Sequence, residues 1–128
     1  MKVRDVMSPE VEVLRPNDTL QTAAQLMADL DAAVLPVGED DDRLIGMLTD
    51  RDIAMRIAAE GRDPQHVTVS QAMSPDVFYC FEDESVEDVS DKMGGWWVRR
   101  MPVVNRDKCL IGTVSLGALT SFANTALD

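Results

Sequence analysis

The chain alternates short β-branched runs with stretches in which apolar residues recur every three or four positions. Leu20, Ala23, Ala24, Met27 and Leu30 form one such series; Val86, Val89, Ser90, Met93 and Trp96 form another. This spacing puts each set on one face of a helix, the face that packs on a core. Asp18 and Ser85 stand just ahead as candidate N-caps, since a short polar side chain there can accept from unpaired first-turn amides. Before the helices, VEVL (11–14) and VFYCF (77–81) read as strands. After them come AVLPV (33–37) and RRMPVV (99–104), each followed by a polar turn and a second strand, RLIGMLT (43–49) or CLIGTVS (109–115). Closing helices are expected over DRDIAMRIAAEG (50–61), with Gly61 as its stop, and LGALTSFANTAL (116–127).

The order β-α-β-β-α therefore occurs twice, and the sequence repeats with it. VMSPEV (6–11) returns as AMSPDV (72–77), LPV (35–37) as MPV (101–103), and LIG (44–46) as LIG (110–112), each displaced by 66 residues without a gap. Internal self-similarity of this kind marks duplication. The expected division is repeat 1 over 1–62, a linker over 63–68 inside GRDPQHVTVS, and repeat 2 over 69–128. The fold class is α/β (α+β), with two β-α-β-β-α repeats related by a pseudo-two-fold axis and packed into one globular module.

Composition narrows the function. A chain of 128 residues with 45% hydrophobic and 27% charged residues can build a core. A net charge of −11 disfavours nucleic acid, because a polyanion is repelled over most of such a surface. The opening residues hold no long apolar run, so neither a signal peptide nor a membrane anchor is expected, and the cytoplasm is the default location. Cys80, Cys109 and the single His66 lack zinc-ligand spacing, so no metal site is expected. Both thiols are expected to be reduced. The acidic run GEDDDR (38–43) reads as a solvated turn, since the second copy has NRDK (105–108) there. No nucleophile–base pair and no phosphate-binding Gly-Lys-Ser/Thr loop is visible, so no catalytic residue is assigned.

The stretch with chemistry in it is GMLTDRD (46–52). Thr49 closes a strand and Asp52 lies in the first turn of the following helix. The helix start offers unpaired amides, the hydroxyl can donate or accept, and a carboxylate can accept both hydroxyl protons of a ribose diol. The same Thr-x-x-Asp spacing also caps a helix with no ligand at all, an effect of ~1 kcal/mol. In the second copy Ser115 is kept, but Leu116, Gly117 and Ala118 stand where the first has Asp50, Arg51 and Asp52. A diol anchor is therefore expected in one copy only.

Taken together, VMSPEV, LPV and GMLTDRD, answered by AMSPDV, VRRMPVV and GTVSLGA, resemble a tandem pair of cystathionine-β-synthase (CBS) domains, the Bateman module. The resemblance covers nearly the whole chain. It implies two clefts between the repeats that commonly take adenosine-containing ligands, here AMP, ADP or ATP ahead of S-adenosylmethionine or NADH. It implies ligand contacts from Gly46, Thr49 and Asp52, with Val34 and Pro36 lining the cleft and Arg100 reaching phosphate. Ala118 breaks the pattern, so Gly112 and Ser115 are not carried over. Trp96 is expected in the core, and Trp97 at an interface or against an adenine. The resemblance further implies a homodimer and a regulated partner protein. The reading that competes with a nucleotide sensor is a ligand-free module for dimerisation or protein interaction.

Overall fold

Thr19, not Asp18, caps the first helix, α1 (Leu20–Leu30): its side chain accepts from the Thr22 amide at 3.2 Å. Asp18 instead accepts from the Arg15 amide at 2.8 Å and fixes the turn just upstream. Two adjacent residues can both accept, and the chain direction decides which one faces the helix. Leu20, Ala23 and Met27 are buried along α1, whereas Ala24 is exposed. Asp31 ends the helix in the left-handed region at φ 51°. The computed structural model describes residues 1–75, 78–94 and 100–115, together with Gly117 and Leu119.

Strands β1 (Val34–Glu39) and β2 (Arg43–Thr49) form an antiparallel hairpin. Val34 lies opposite Thr49, Pro36 opposite Met47 and Val37 opposite Gly46; the register then slips, leaving Ile45 as an extra residue. Alternation sends Leu35, Val37 and Leu48 into the core and puts Val34, Pro36, Met47 and Thr49 on the other face. A helix follows at once, α2 (Asp50–Ala54), and continues as a π-helical turn over Met55–Ala59. Gly61 then adopts φ 67°, which glycine enters without penalty.

The second copy repeats these elements. A short helix α3 (Val69–Ala72) leads to strand β3 (Cys80–Phe81), helix α4 (Val86–Gly94) and the hairpin β4 (Arg100–Val104) and β5 (Leu110–Ser115). Ser85 caps α4, accepting from the Asp88 amide at 3.2 Å. The second hairpin keeps the register of the first: Arg100 faces Ser115, Pro102 faces Thr113, Val103 faces Gly112, and Ile111 is the bulged residue. Strand β3 runs parallel to β4 through Cys80 and Phe81. Its first-copy counterpart is a single parallel bridge from Leu14 to Val37, so VEVL forms no strand of its own. Trp96, Trp97, Arg99, Ala118 and most of the final helix expected from sequence lie outside the described residues.

Packing divides the chain into Glu12–Val77 and a second unit made of Met1–Val11 with Phe78–Asp128. This is a different division from the sequence repeats. The Met-Ser-Pro segment of each copy packs with the hairpin of the other copy. In the unit 12–77, Val67, Val69 and Ala72 join Leu14, Leu20 and Leu48 in one core, so the expected linker is part of the packing. In the other unit Val3, which starts a 3-10 turn over Val3–Asp5, joins Val86, Met93 and Met101 in a second core.

The exchange also explains the glycine of each LIG. A Cβ on Gly46 would lie 2.7 Å from the Met73 Sδ and 3.0 Å from the Ser74 carbonyl oxygen. On Gly112 it would collide with the Ser8 carbonyl and lie 3.2 Å from the Met7 Sδ. Paired backbone hydrogen bonds hold both approaches: Met47 with Ser74 at 3.0 and 2.9 Å, and Thr113 with Ser8 at 2.9 and 2.8 Å.

Candidate functional site

The end of β2 hands directly to α2, and two residues make the junction. Thr49 accepts from the Asp52 amide at 3.0 Å, and the Asp52 carboxylate accepts from the Thr49 amide at 2.9 Å. This is a reciprocal capping box, with Thr49 in extended backbone and Asp52 at the third helical position. The Asp50 amide donates to the Ala33 carbonyl at 2.9 Å, tying the helix start to the residue before β1. Three of the first amides at this helix start are thus satisfied by the protein itself.

Those bonds leave a defined set of polar atoms. Asp52 uses Oδ2 on the backbone and keeps Oδ1 free of any partner among the described residues. Thr49 spends an oxygen lone pair on the Asp52 amide, so its hydroxyl proton remains to be donated. Both side chains are half-buried. Chemically the pair offers one acceptor and one donor, held in fixed orientation by bonds that also start the helix. It contains no nucleophile activated by a base.

Four further residues named from sequence fall in place around or apart from this pair. Val34 is half-buried directly across the hairpin from Thr49, and Pro36 is buried two positions along the same face. Gly46 lies against Met73 and Ser74, and the need for glycine there comes from that close approach. Arg100 belongs to the other unit. It is exposed at the start of β4 opposite Ser115, the slot that Val34 occupies opposite Thr49, and it makes no ion pair with any described residue. Sequence reasoning missed the part played by Met73 and Ser74. Both motifs recur at one constant offset, but that offset does not say which hairpin each Met-Ser-Pro segment joins.

Elsewhere the charged groups serve the fold. Cys80 is buried, and its thiol is pushed up to about 12, first by loss of solvent and then by Glu84, against an opposing pull from Lys92. It is a poor nucleophile. Both cysteines are free. Arg106 donates to Asp83 through two bonds, 2.9 and 2.7 Å, and lies 4.2 Å over the Phe81 ring. That fork holds the Asp83 carboxyl below the ordinary carboxylate range. In the first copy Arg15 reaches Asp42 at 2.5 Å and the Gly38 carbonyl at 3.3 Å, closing the acidic turn. The described residues contain no group of three or more His, Cys, Asp or Glu side chains able to hold a metal ion. Among them no helix is long and apolar enough to cross a membrane.

Comparison with known proteins agrees with the duplicated architecture. The CBS domain family matches twice, over residues 3–59 and 69–124, and no catalytic domain is evident beside the two matches. The CBS domain-containing protein YhcV of Bacillus subtilis is 43% identical over 117 residues, covering 91% of this chain and 81% of YhcV. Hypoxic response protein 1 of Mycobacterium tuberculosis is 38% identical over 112 residues, covering 88% of this chain and 78% of that protein. The solved structure of Hypoxic Response Protein I, which is described with two coordinated zinc ions, superposes at a TM-score of 0.80 over 95% of this chain and 98% of that one. The CBS-pair protein CBSX2, solved in complex with AMP, gives 0.78 over 99% of this chain and 98% of its own, at 24% identity. The CBS pair of protein MJ0100, solved with 5'-methylthioadenosine and S-adenosylmethionine, gives 0.76 over 98% of each chain, also at 24% identity. This chain belongs to the CBS domain family and carries two CBS domains in tandem.

Proposed function

We propose that the protein is a stand-alone regulatory CBS-pair module that binds an adenosine-containing ligand at the junction of β2 and α2. The observation that carries this reading is the pair of polar atoms that the capping box leaves over, Oδ1 of Asp52 and the hydroxyl proton of Thr49. A carboxylate oxygen takes a ribose hydroxyl proton, and the threonine donates to a sugar or phosphate oxygen. Val34 and Pro36 supply an apolar wall beside them, with Gly46 on the same strand as Thr49. The phosphate contact that the family resemblance implies is Arg100, whose guanidinium suits phosphate oxygens. The ligand is AMP, ADP or ATP ahead of S-adenosylmethionine or NADH, and the AMP complex of CBSX2 supports that class. Binding would shift the balance of conformations that a cytoplasmic homodimer or a partner protein reads.

A second reading has its own support. The capping box is complete without a ligand, so Thr49 and Asp52 would also be present in a module that only dimerises or docks. One substitution separates the two. Asp52→Glu keeps a capping residue at the third helical position, where glutamate is the commoner partner, but moves the carboxylate by a methylene. In thermal-shift titrations with AMP, ATP, S-adenosylmethionine and NADH, a ligand at 100 times its Kd stabilises the native chain by ~2.7 kcal/mol. The sensor reading expects that shift in the native chain, and expects Asp52→Glu to lose it while keeping its unliganded Tm. No shift with any of the four favours the ligand-free module, and equal shifts in both proteins would place the bound ligand away from Asp52 and overturn the site proposed here.

A further inference from the structure

Eight methionines are spread along the chain, and two of them occupy equivalent places that packing alone leaves open to chemistry. Met7 and Met73 are the methionines of the two Met-Ser-Pro segments. Each sets its thioether against the glycine of the other copy's Leu-Ile-Gly, Met7 on Gly112 and Met73 on Gly46. Each is followed by a serine whose backbone pairs with the hairpin through two hydrogen bonds. Both methionines are half-buried. Met27, Met47, Met93 and Met101 are at most 5% exposed, while Met1 and Met55 are 61% and 52% exposed. The molecule thus holds three classes of methionine: shielded, open, and seated at the rim of a structural latch.

We propose that Met7 and Met73 are modification sites, oxidised by hydrogen peroxide to the sulfoxide, and that this oxidation loosens the exchanged segments. A sulfur lone pair attacks one peroxide oxygen, the O–O bond breaks, the sulfur keeps that oxygen, and the other leaves as water once the proton has transferred. The sulfoxide is polar and carries an oxygen the thioether lacked. Against Gly46 the sulfur already sits closer than a methyl group on that residue would allow. The new oxygen has to turn outward for hydrogen bonding, and the thioether leaves its seat. The loosened segment is the one that pairs with Met47, two residues before Thr49 on the same strand face. Peroxide would then weaken the ligand site as well as the fold; this last step rests on the function proposed above.

The test treats the whole chain with hydrogen peroxide and reads three quantities. Peptide mass spectrometry gives the order of oxidation, expected as Met1 and Met55, then Met7 and Met73, with the four shielded residues last. Unliganded Tm is expected to fall by about 5 °C or more as Met7 and Met73 oxidise, a shift of the size that a loss near 2 kcal/mol gives in a domain of this length. The variant Met7→Leu/Met73→Leu, close in volume and not oxidisable, should fold with near-native Tm and lose that fall. Intact Met7 and Met73 when Met27 or Met93 has oxidised would overturn the proposal. So would an equal loss of Tm in the double leucine variant. Adenosine affinity is measured separately on the oxidised native chain, so failure of ligand binding leaves the Tm result standing.

Discussion

The two hairpins of this protein keep one register and differ in what stands at their ends. In both, a proline sits two residues after the strand opens, a glycine faces a valine, and an isoleucine is bulged out. In both, a methionine and a serine from the other copy close on the glycine. At the exits the copies part. The first ends Thr-Asp-Arg-Asp, with a complete capping box, and the second ends Ser-Leu-Gly-Ala. The entries part as well, with Val34 in one and Arg100 in the other. What stayed the same is what close packing forbids to change. What diverged, among the described residues, is at least partly exposed: Val34, Asp50, Arg51 and Asp52 in the first copy and Arg100 in the second.

The largest effect should come from attacking the shared part. Gly112→Ala drives a methyl group into the carbonyl of Ser8, a residue whose amide and carbonyl are each hydrogen-bonded to Thr113. The cost should be about 3 kcal/mol in urea unfolding, at the upper end for overpacking. Gly46→Ala meets the end of the flexible Met73 side chain first, which can swing aside, so about 1 kcal/mol is expected. Equal costs in the two variants would mean that the exchanged segments are not held as differently as these contacts indicate. A cost near zero in both would break the packing explanation of the repeated glycine.

Next in size are substitutions at the helix start, two of which exchange residues between the copies. Thr49→Ala removes an oxygen that accepts from the Asp52 amide and should cost ~1 kcal/mol. Asp52→Ala, which imports the second copy's residue, removes the return bond to the Thr49 amide and should cost less, ~0.5 kcal/mol. Thr49→Ser, again the second copy's residue, keeps the acceptor and should be nearly neutral. Chemical denaturation of the three proteins without ligand gives the ranking. If Asp52→Ala proves the most costly, the carboxylate is bearing more of the fold than one capping bond explains.

These contrasts also show what a sequence can carry. The register of the second hairpin follows from the first because a constant offset leaves no freedom to slip, since one residue of slip would turn the core face outward. The capping box was legible because its geometry depends on residues three apart, within one turn. The exchange of Met-Ser-Pro segments was not. Val3 and Val69 are short apolar signals beside polar neighbours, and nothing local says which hairpin they join. VEVL alternates as a strand should, yet only Leu14 pairs, because strand pairing depends on a partner that propensity does not see. Asp18 and Thr19 were separable only by the direction in which the chain enters the helix.

The smallest predicted effect concerns the two turns, which are clipped in opposite senses. In the first copy an arginine before the helix reaches an aspartate in the turn, Arg15 to Asp42. In the second the arginine is in the turn and the acid is upstream, Arg106 to Asp83, with Phe81 beneath the guanidinium. The Asp83 carboxyl is lowered chiefly by the hydrogen bonds from Arg106. Its folded pKa lies below the unfolded value, so its stabilising contribution is present above the ordinary carboxylate range and lost as pH falls through the folded pKa. Arg106→Gln should bring the Asp83 titration, followed by carboxyl NMR, back up toward the ordinary value. The stability gap between native and variant should narrow as the pH falls below that range. Because the pair is open to solvent, the gap should also shrink in high salt. The ring contact with Phe81 is independent of Asp83 protonation, so a residual difference at low pH would measure it. A gap that is constant from neutral pH down through the Asp83 titration would assign the whole effect of Arg106 to the ring and none to the carboxylate.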